Sequence, residues 1–105
     1  MAASDFYVYS PLAKADEAFS AATADAAWES GHGRYTGTIA EKNGFQIVTD
    51  APKFDNPRAA LTWANDDLEV RDNDKWGPAW GFPVYKPDTD FKEIQGWVFY
   101  GWASD

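Results

Sequence analysis

The chain contains no cysteine and a single histidine. The first absence excludes a disulfide framework, a thiolate nucleophile and any cysteine-ligated zinc site, and it fits a reducing compartment. The second leaves one imidazole, His32, for acid–base work. No stretch approaches the roughly 18–20 apolar residues of a membrane span. The N-terminal run MAASDFYVYSPLAKADEAF has neither a basic lead nor an apolar segment of signal length, so a soluble, cytoplasmic protein is expected. Basic residues are scarce too, nine against seventeen acidic ones, for a net charge of −8. That balance disfavours direct binding to nucleic-acid phosphates or an anionic membrane. It favours a protein partner with a basic surface, such as a nucleic-acid-binding protein. The plainer role of such charge is solubility.

Catalytic and metal signatures are missing as well. There is no phosphate-cradling glycine loop, nucleophile elbow or His-Glu-x-x-His run. His32 sits between Gly31 and Gly33 beside Arg34, which suits a helix-terminal turn or a small anion-binding concavity better than a catalytic base lacking an orienting acid. Asp16 with Glu17, and Asp88 with Asp90, are adjacent acids without the cleft and raised pKa that glycoside hydrolysis requires. Asp66, Asp67, Glu69, Asp72 and Asp74 form the densest acidic cluster, diluted by Arg71 and Lys75, but their spacing is not that of a calcium loop. No catalytic residue, metal site or cofactor is expected, and the chain reads as a non-enzyme.

What the chain does have is aromatic surface. Six Trp, five Tyr and seven Phe occur in 105 residues, and half of them lie between Trp76 and Trp102. Each buries about 150–250 Å² when covered, so this stretch dominates core or interface energetics. Trp97-Val98-Phe99-Tyr100 is apolar on both alternating faces, unlike a strand with one wet side.

The remaining pattern predicts one α+β domain over residues 1–105. Phe6 to Tyr9 reads as a strand. Ser10-Pro11 reads as a cap and first helical residue, followed by the stripe Leu12, Ala15, Phe19, Ala22 and Ala26, with Trp28 off it. A hairpin is expected around Asn43-Gly44. A three-residue loop with Gly44 left-handed would set Ile39 opposite Ile47 and gather Tyr35, Ile39, Phe45 and Ile47 on one face. Asn56-Pro57 starts a second helix carrying Leu61, Ala64 and Leu68, with Trp63 turned towards a neighbouring loop. Trp80 to Tyr85 is a strand that Pro83 restricts to an edge or a bulge. Phe91 to Trp102 is the last strand. The order β-α-β-β-α-β-β predicts a mainly antiparallel sheet of about four to five strands, with two helices on one face.

On that arrangement the aromatic cluster exceeds what two helices cover. The expectation is a small binding or inhibitor protein, in the manner of toxin immunity proteins and phage-encoded anti-defence inhibitors. Asp66, Asp67, Glu69, Asp72 and Asp74 would steer it, and Trp76, Trp80 and Trp102 would anchor it. The alternatives are a homodimer that pairs the last strand or the Trp80 strand with its copy, and a carbohydrate- or small-ligand-binding domain using the tryptophan loop.

Overall fold

A computed structural model of the chain describes residues 3–30, 38–42, 44–70 and 77–104. The elements run β1 (Ala3–Ser10), α1 (Ala15–Ser30), a 3₁₀ turn (Ile39–Glu41), β2 (Phe45–Ile47), α2 (Pro57–Leu68), β3 (Ala79–Tyr85) and β4 (Ile94–Ser104). The strands form one sheet in the order β1-β4-β3-β2. β4 is antiparallel to both its neighbours, and β2 lies parallel to β3. The class is α+β with a mainly antiparallel sheet, as the sequence predicts.

The helices, however, do not share a face. Ala18, Phe19 and Ala22 of α1 pack with Phe6, Trp97 and Phe99. Ala60, Ala64 and Leu68 of α2 pack with Phe82, Val84, Val98 and Tyr100. Residues alternate sides along a strand, so α1 covers one face of β4 and α2 the other. The expectation of two helices on one face is corrected. The doubly apolar strand supplies the reason: each face buries its own aromatics only when it has its own helix. On the α1 side Phe19, Phe45, Trp97 and Phe99 form a chain of ring contacts, with Phe19 edge-on to Phe99 at 5.3 Å. On the α2 side Trp63 meets Phe82 edge-on at 5.3 Å and also contacts Phe54, so it does cover the preceding loop.

The expected hairpin is absent among the described residues. Residues 35–37 and 43 lie outside them, and Ile39–Glu41 is a 3₁₀ turn rather than a strand. Thr38 caps that turn by accepting from the Ala40 N–H at 3.2 Å. Ile39 is fully buried beside α1 instead of pairing with Ile47, and Gly44 does not take a left-handed backbone. β2 instead follows β3, with Phe45, Gln46 and Ile47 opposite Ala79, Trp80 and Gly81. Phe45 packs on the α1 side and Val48 is buried on the α2 side. A hairpin with one covered face would leave Val48 in water; a parallel place between two helices buries both. Lys42 is buried, and its Nζ donates to the Gly77 carbonyl at 2.7 Å, tying this segment to the entry of β3.

Helix boundaries divide in the same way. α2 starts where expected, with the Asn56 side chain accepting from Arg58 N–H at 2.8 Å and Pro57 in the first turn. α1 starts later than Pro11, because β1 continues to Ser10, which pairs with Trp97. Leu12, expected on the buried stripe, is exposed. The Trp97 indole N–H donates to the Ala13 carbonyl at 2.9 Å and closes the turn into the helix.

Pro83 sits in an interior strand without breaking it. The backbones of Ala79, Gly81 and Tyr85 bond to Gly44, Val48 and Phe54, on the side away from β4. By alternation the Pro83 nitrogen faces that same side, in the gap between β2 and the Phe54 bridge, so no bond to β4 is lost. The register shifts between Val84 and Tyr85, the bulge that Pro83 led us to expect.

Phe99 lies over Gly81, its ring partner across the strand pair. A Cβ at Gly81 would stand 2.8 Å from the ring, and Phe99 is fully buried with no room to swing. Gly81→Ala is expected to cost about 1–3 kcal/mol of unfolding free energy in urea melts. Gly44→Ala, whose Cβ would meet nothing within 4 Å, is the control and should change little.

Candidate binding surface at the end of the second helix

The acidic cluster begins on the last turn of α2, and the helix's ends are placed by different contacts. Near its start Phe54 bridges Val84, and the Gln95 amide donates to the carbonyls of Asp55 and Tyr85. Near its end the Tyr100 hydroxyl donates to Asp67 Oδ2 at 2.6 Å. Tyr100 is fully buried, and it lies opposite Trp80 on one side and Tyr7 on the other. Asp5 lies opposite Trp102 in the adjacent row. All these side chains share the α2 face. The surface at the end of α2 is thus a row of half-buried aromatics, Tyr7, Trp80 and Trp102, with exposed Asp5 and Glu69 beside Tyr7 and exposed Asp66 on the last turn of the helix.

Three of the residues singled out from the sequence, Asp72, Asp74 and Trp76, lie outside the described residues, as do His32 and Arg34. Of the others, the structure brings Glu69, Trp80 and Trp102 to one end of one face, and Asp66 stands exposed on the last turn of α2. Asp67 has a second role. A carboxylate in a last helical turn faces the negative end of the helix dipole. The Tyr100 hydroxyl offsets that cost with a hydrogen bond to a charged acceptor. Trp102 is half-buried, and its indole N–H is buried with no acceptor among the described residues.

The sequence did not point to Asp5 or Tyr7. Alternation in Asp5-Phe6-Tyr7 puts these two on one side of a strand, but only the pairing of β1 with β4 carries them to the end of α2. The Tyr7 hydroxyl donates to Asp5 Oδ2 at 2.9 Å. Partial burial, that hydrogen bond and the negative charges of Asp5 and Glu69 push the Tyr7 pKa up to about 12. Burial raises that of Tyr9 as well.

Apolar exposure lies elsewhere too. Trp28 on α1 is 86% exposed, and Ile47 of β2 is 54% exposed beside a groove lined by Asp16, Phe19, Ser20 and Phe45. Trp28 is the residue that fell off the helical stripe. Among the described residues no three His, Cys, Asp or Glu side chains converge as a metal site. Chemically, the surface at the end of α2 offers fixed negative charge around flat, rigid aromatic faces, which suits cationic and amphipathic groups. Comparison with protein-family models, with curated proteins and with solved structures gives no match.

Two measurements check this geometry. Tyr100→Phe leaves the Asp67 carboxylate without its phenol donor and is expected to lower stability by about 1–3 kcal/mol in denaturant melts. In ultraviolet titration of the phenols, Tyr7 should ionise near pH 12, above the ordinary value of 10.0. Because the folded pKa is the higher one, the fold favours the neutral phenol. That stabilisation is complete below pH 10 and is withdrawn as pH rises towards 12. Asp5→Asn should move the Tyr7 midpoint downwards; an unmoved midpoint would contradict the Asp5 contribution.

Proposed function

We propose that this chain is a non-enzymatic binding protein of the immunity-protein or phage anti-defence type, which acts by occupying a basic surface of a partner protein. The observation that carries this reading is the meeting of Glu69 from α2 with Asp5 from β1 at Tyr7, in the row that also holds Trp80 and Trp102, with Asp66 exposed on the same last turn of α2. Carboxylates at the rim raise the rate of encounter with a cationic surface and set its orientation. Rigid aromatics between them supply area that is desolvated on contact. The remaining acidic surface adds a long-range field of the same sign, from a net charge of −8. The partner in this reading is a protein that itself binds nucleic acid, since such proteins carry the complementary charge.

A further feature supports it. Trp97, Phe99 and Tyr100 of β4 are committed to the core, so the surface aromatics form a small, defined set. Among the described residues no helix is long and apolar enough to cross a membrane. The carbohydrate-binding alternative draws less support, because it needs Trp80 as an open stacking platform and Trp80 is half-buried against the α2-side core.

The test compares the wild-type protein with Asp66→Lys/Glu69→Lys, immobilised in parallel and exposed to extract of the source cell. Wild type is expected to retain a basic protein at low salt and release it as salt rises, and the doubly reversed variant to retain roughly tenfold less or none. Both proteins should unfold at similar temperatures, since the two residues are exposed. Retention that is equal for both proteins and indifferent to salt would overturn the reading.

A further inference from the structure

We propose that the outer edge of β1 is the seat of a symmetric dimer, in which β1 pairs antiparallel with β1 of a second copy to make a continuous eight-stranded sheet. The sequence suggested pairing through the last strand or the Trp80 strand. The structure closes both routes: β4 has a strand on each side, and β3 is flanked by β4 and β2.

The free edge can be assigned residue by residue. Because Ala79, Gly81 and Tyr85 bond away from β4, the alternate residues Trp80, Phe82 and Val84 bond towards it. Their partners in β4 are the even-numbered residues, so the odd-numbered ones, Trp97, Phe99 and Gly101, bond to β1. Those pair with Ser10, Val8 and Phe6. The backbone groups of Asp5, Tyr7 and Tyr9 therefore point outwards, and no described group bonds to them.

An edge of this kind is ordinarily guarded by shortness, proline, lysine or a bulge. The other edge follows that rule, since β2 is three residues long. β1 is eight residues long and contains no proline, glycine or basic residue; its register with β4 is unbroken, and Asp5 is its sole charge. That one charge selects both the occupant and the register. Centring the two-fold on Tyr7 sets Tyr7 opposite its own copy and each Asp5 opposite a Tyr9, with about six backbone hydrogen bonds between the copies. The two carboxylates then stand about 13 Å apart. Centring on Asp5 would oppose them directly, centring on Phe6 would bring them to about 8 Å, centring on Val8 would set Asp5 against Pro11, and centring on Tyr9 would spend Tyr7 on Pro11, which has no N–H. The chosen register also brings Asp5 of the second copy to the Tyr9 end of β1. Arg58 stands near that end, in the first turn of α2, at the groove that α2 forms with Tyr7, Leu61, Thr62 and Asn65.

This dimer does not rest on the basic-partner reading, and salt separates the two. Each copy carries a net charge of −8, so self-association strengthens as salt screens the repulsion, whereas binding to a basic surface weakens. Sedimentation of the wild-type protein at micromolar concentration is expected to show a dimer, tighter in high salt. Tyr7→Pro removes an outward N–H and no bond to β4, so it should give a folded monomer. Since the chain has no cysteine, a single introduced thiol reports the register without background. Tyr7→Cys should cross-link two copies under mild oxidation, and Tyr9→Cys should not. A wild-type monomer at both salt concentrations would overturn the proposal. So would a dimer that survives Tyr7→Pro, or one in which Tyr7→Cys fails to cross-link. The thiol mapping decides the matter even where the proline variant does not fold.

Discussion

β4 runs down the middle of the sheet with large apolar side chains on both of its faces, and water must be kept from all of them. Trp97 and Phe99 point one way; Val98 and Tyr100 point the other, and all four are buried. One helix covers one face, so the molecule needs a helix on each side. The remaining topology follows. β1 and α1 close the Trp97–Phe99 side. The β2-α2-β3 crossover closes the Val98–Tyr100 side, and a crossover of that type requires β2 to lie parallel to β3. The small residues opposite the aromatics belong to the same constraint. Phe99 occupies the space that Gly81 leaves empty, and the ring of Phe6 lies 3.2 Å from where a Cβ on Gly101 would stand.

The core and the surface at the end of α2 are coupled through Tyr100. Its ring lies in the α2-side core, 5.9 Å from Phe82, while its hydroxyl holds Asp67 at the helix terminus. Burial of the ring thereby sets where the acidic end of α2 stops on the sheet. It also decides which aromatics remain near the surface. Trp80 and Trp102 flank Tyr100 beyond the helix end, and they stay half-buried because α2 ends at Leu68. Carboxylates and aromatics meet there because a helix of this length ends there.

The two edges of the sheet are handled differently. β2 is too short to template another strand, and the bridge from Phe54 to Val84 takes over farther along β3. β1 is long and regular, and among the described residues its backbone pairs on one side alone. The physical asymmetry between the edges is as plain as that between the faces. It directs association to β1, away from the central strands whose composition first drew notice.

Much of the local structure was legible in the chain. Asn56-Pro57 states a helix start through an oxygen that accepts N–H groups and a residue that needs no donor, and both act within a few residues of themselves. Pro83 announced a break in strand pairing for the same reason. The class and the strand character of residues 80–85 and 94–102 followed from period and composition, and the acidic run at 66–74 was visible as a run. The Asn43-Gly44 signal was equally local, but there the hairpin it suggests was overridden, because burying Phe45 and Val48 on opposite sides is worth more than a tight turn. The side of the sheet each helix takes, the meeting of Asp5 with Glu69 around Tyr7, and the identity of the free edge depend on contacts between residues far apart in the chain. Alternation within a strand says which side chains face together, and it does not say towards what. The sequence alone determined that β4 required cover on both faces; the tertiary structure alone decided that two helices of the same chain provide it, because only packing in three dimensions distributes a cover between two sides.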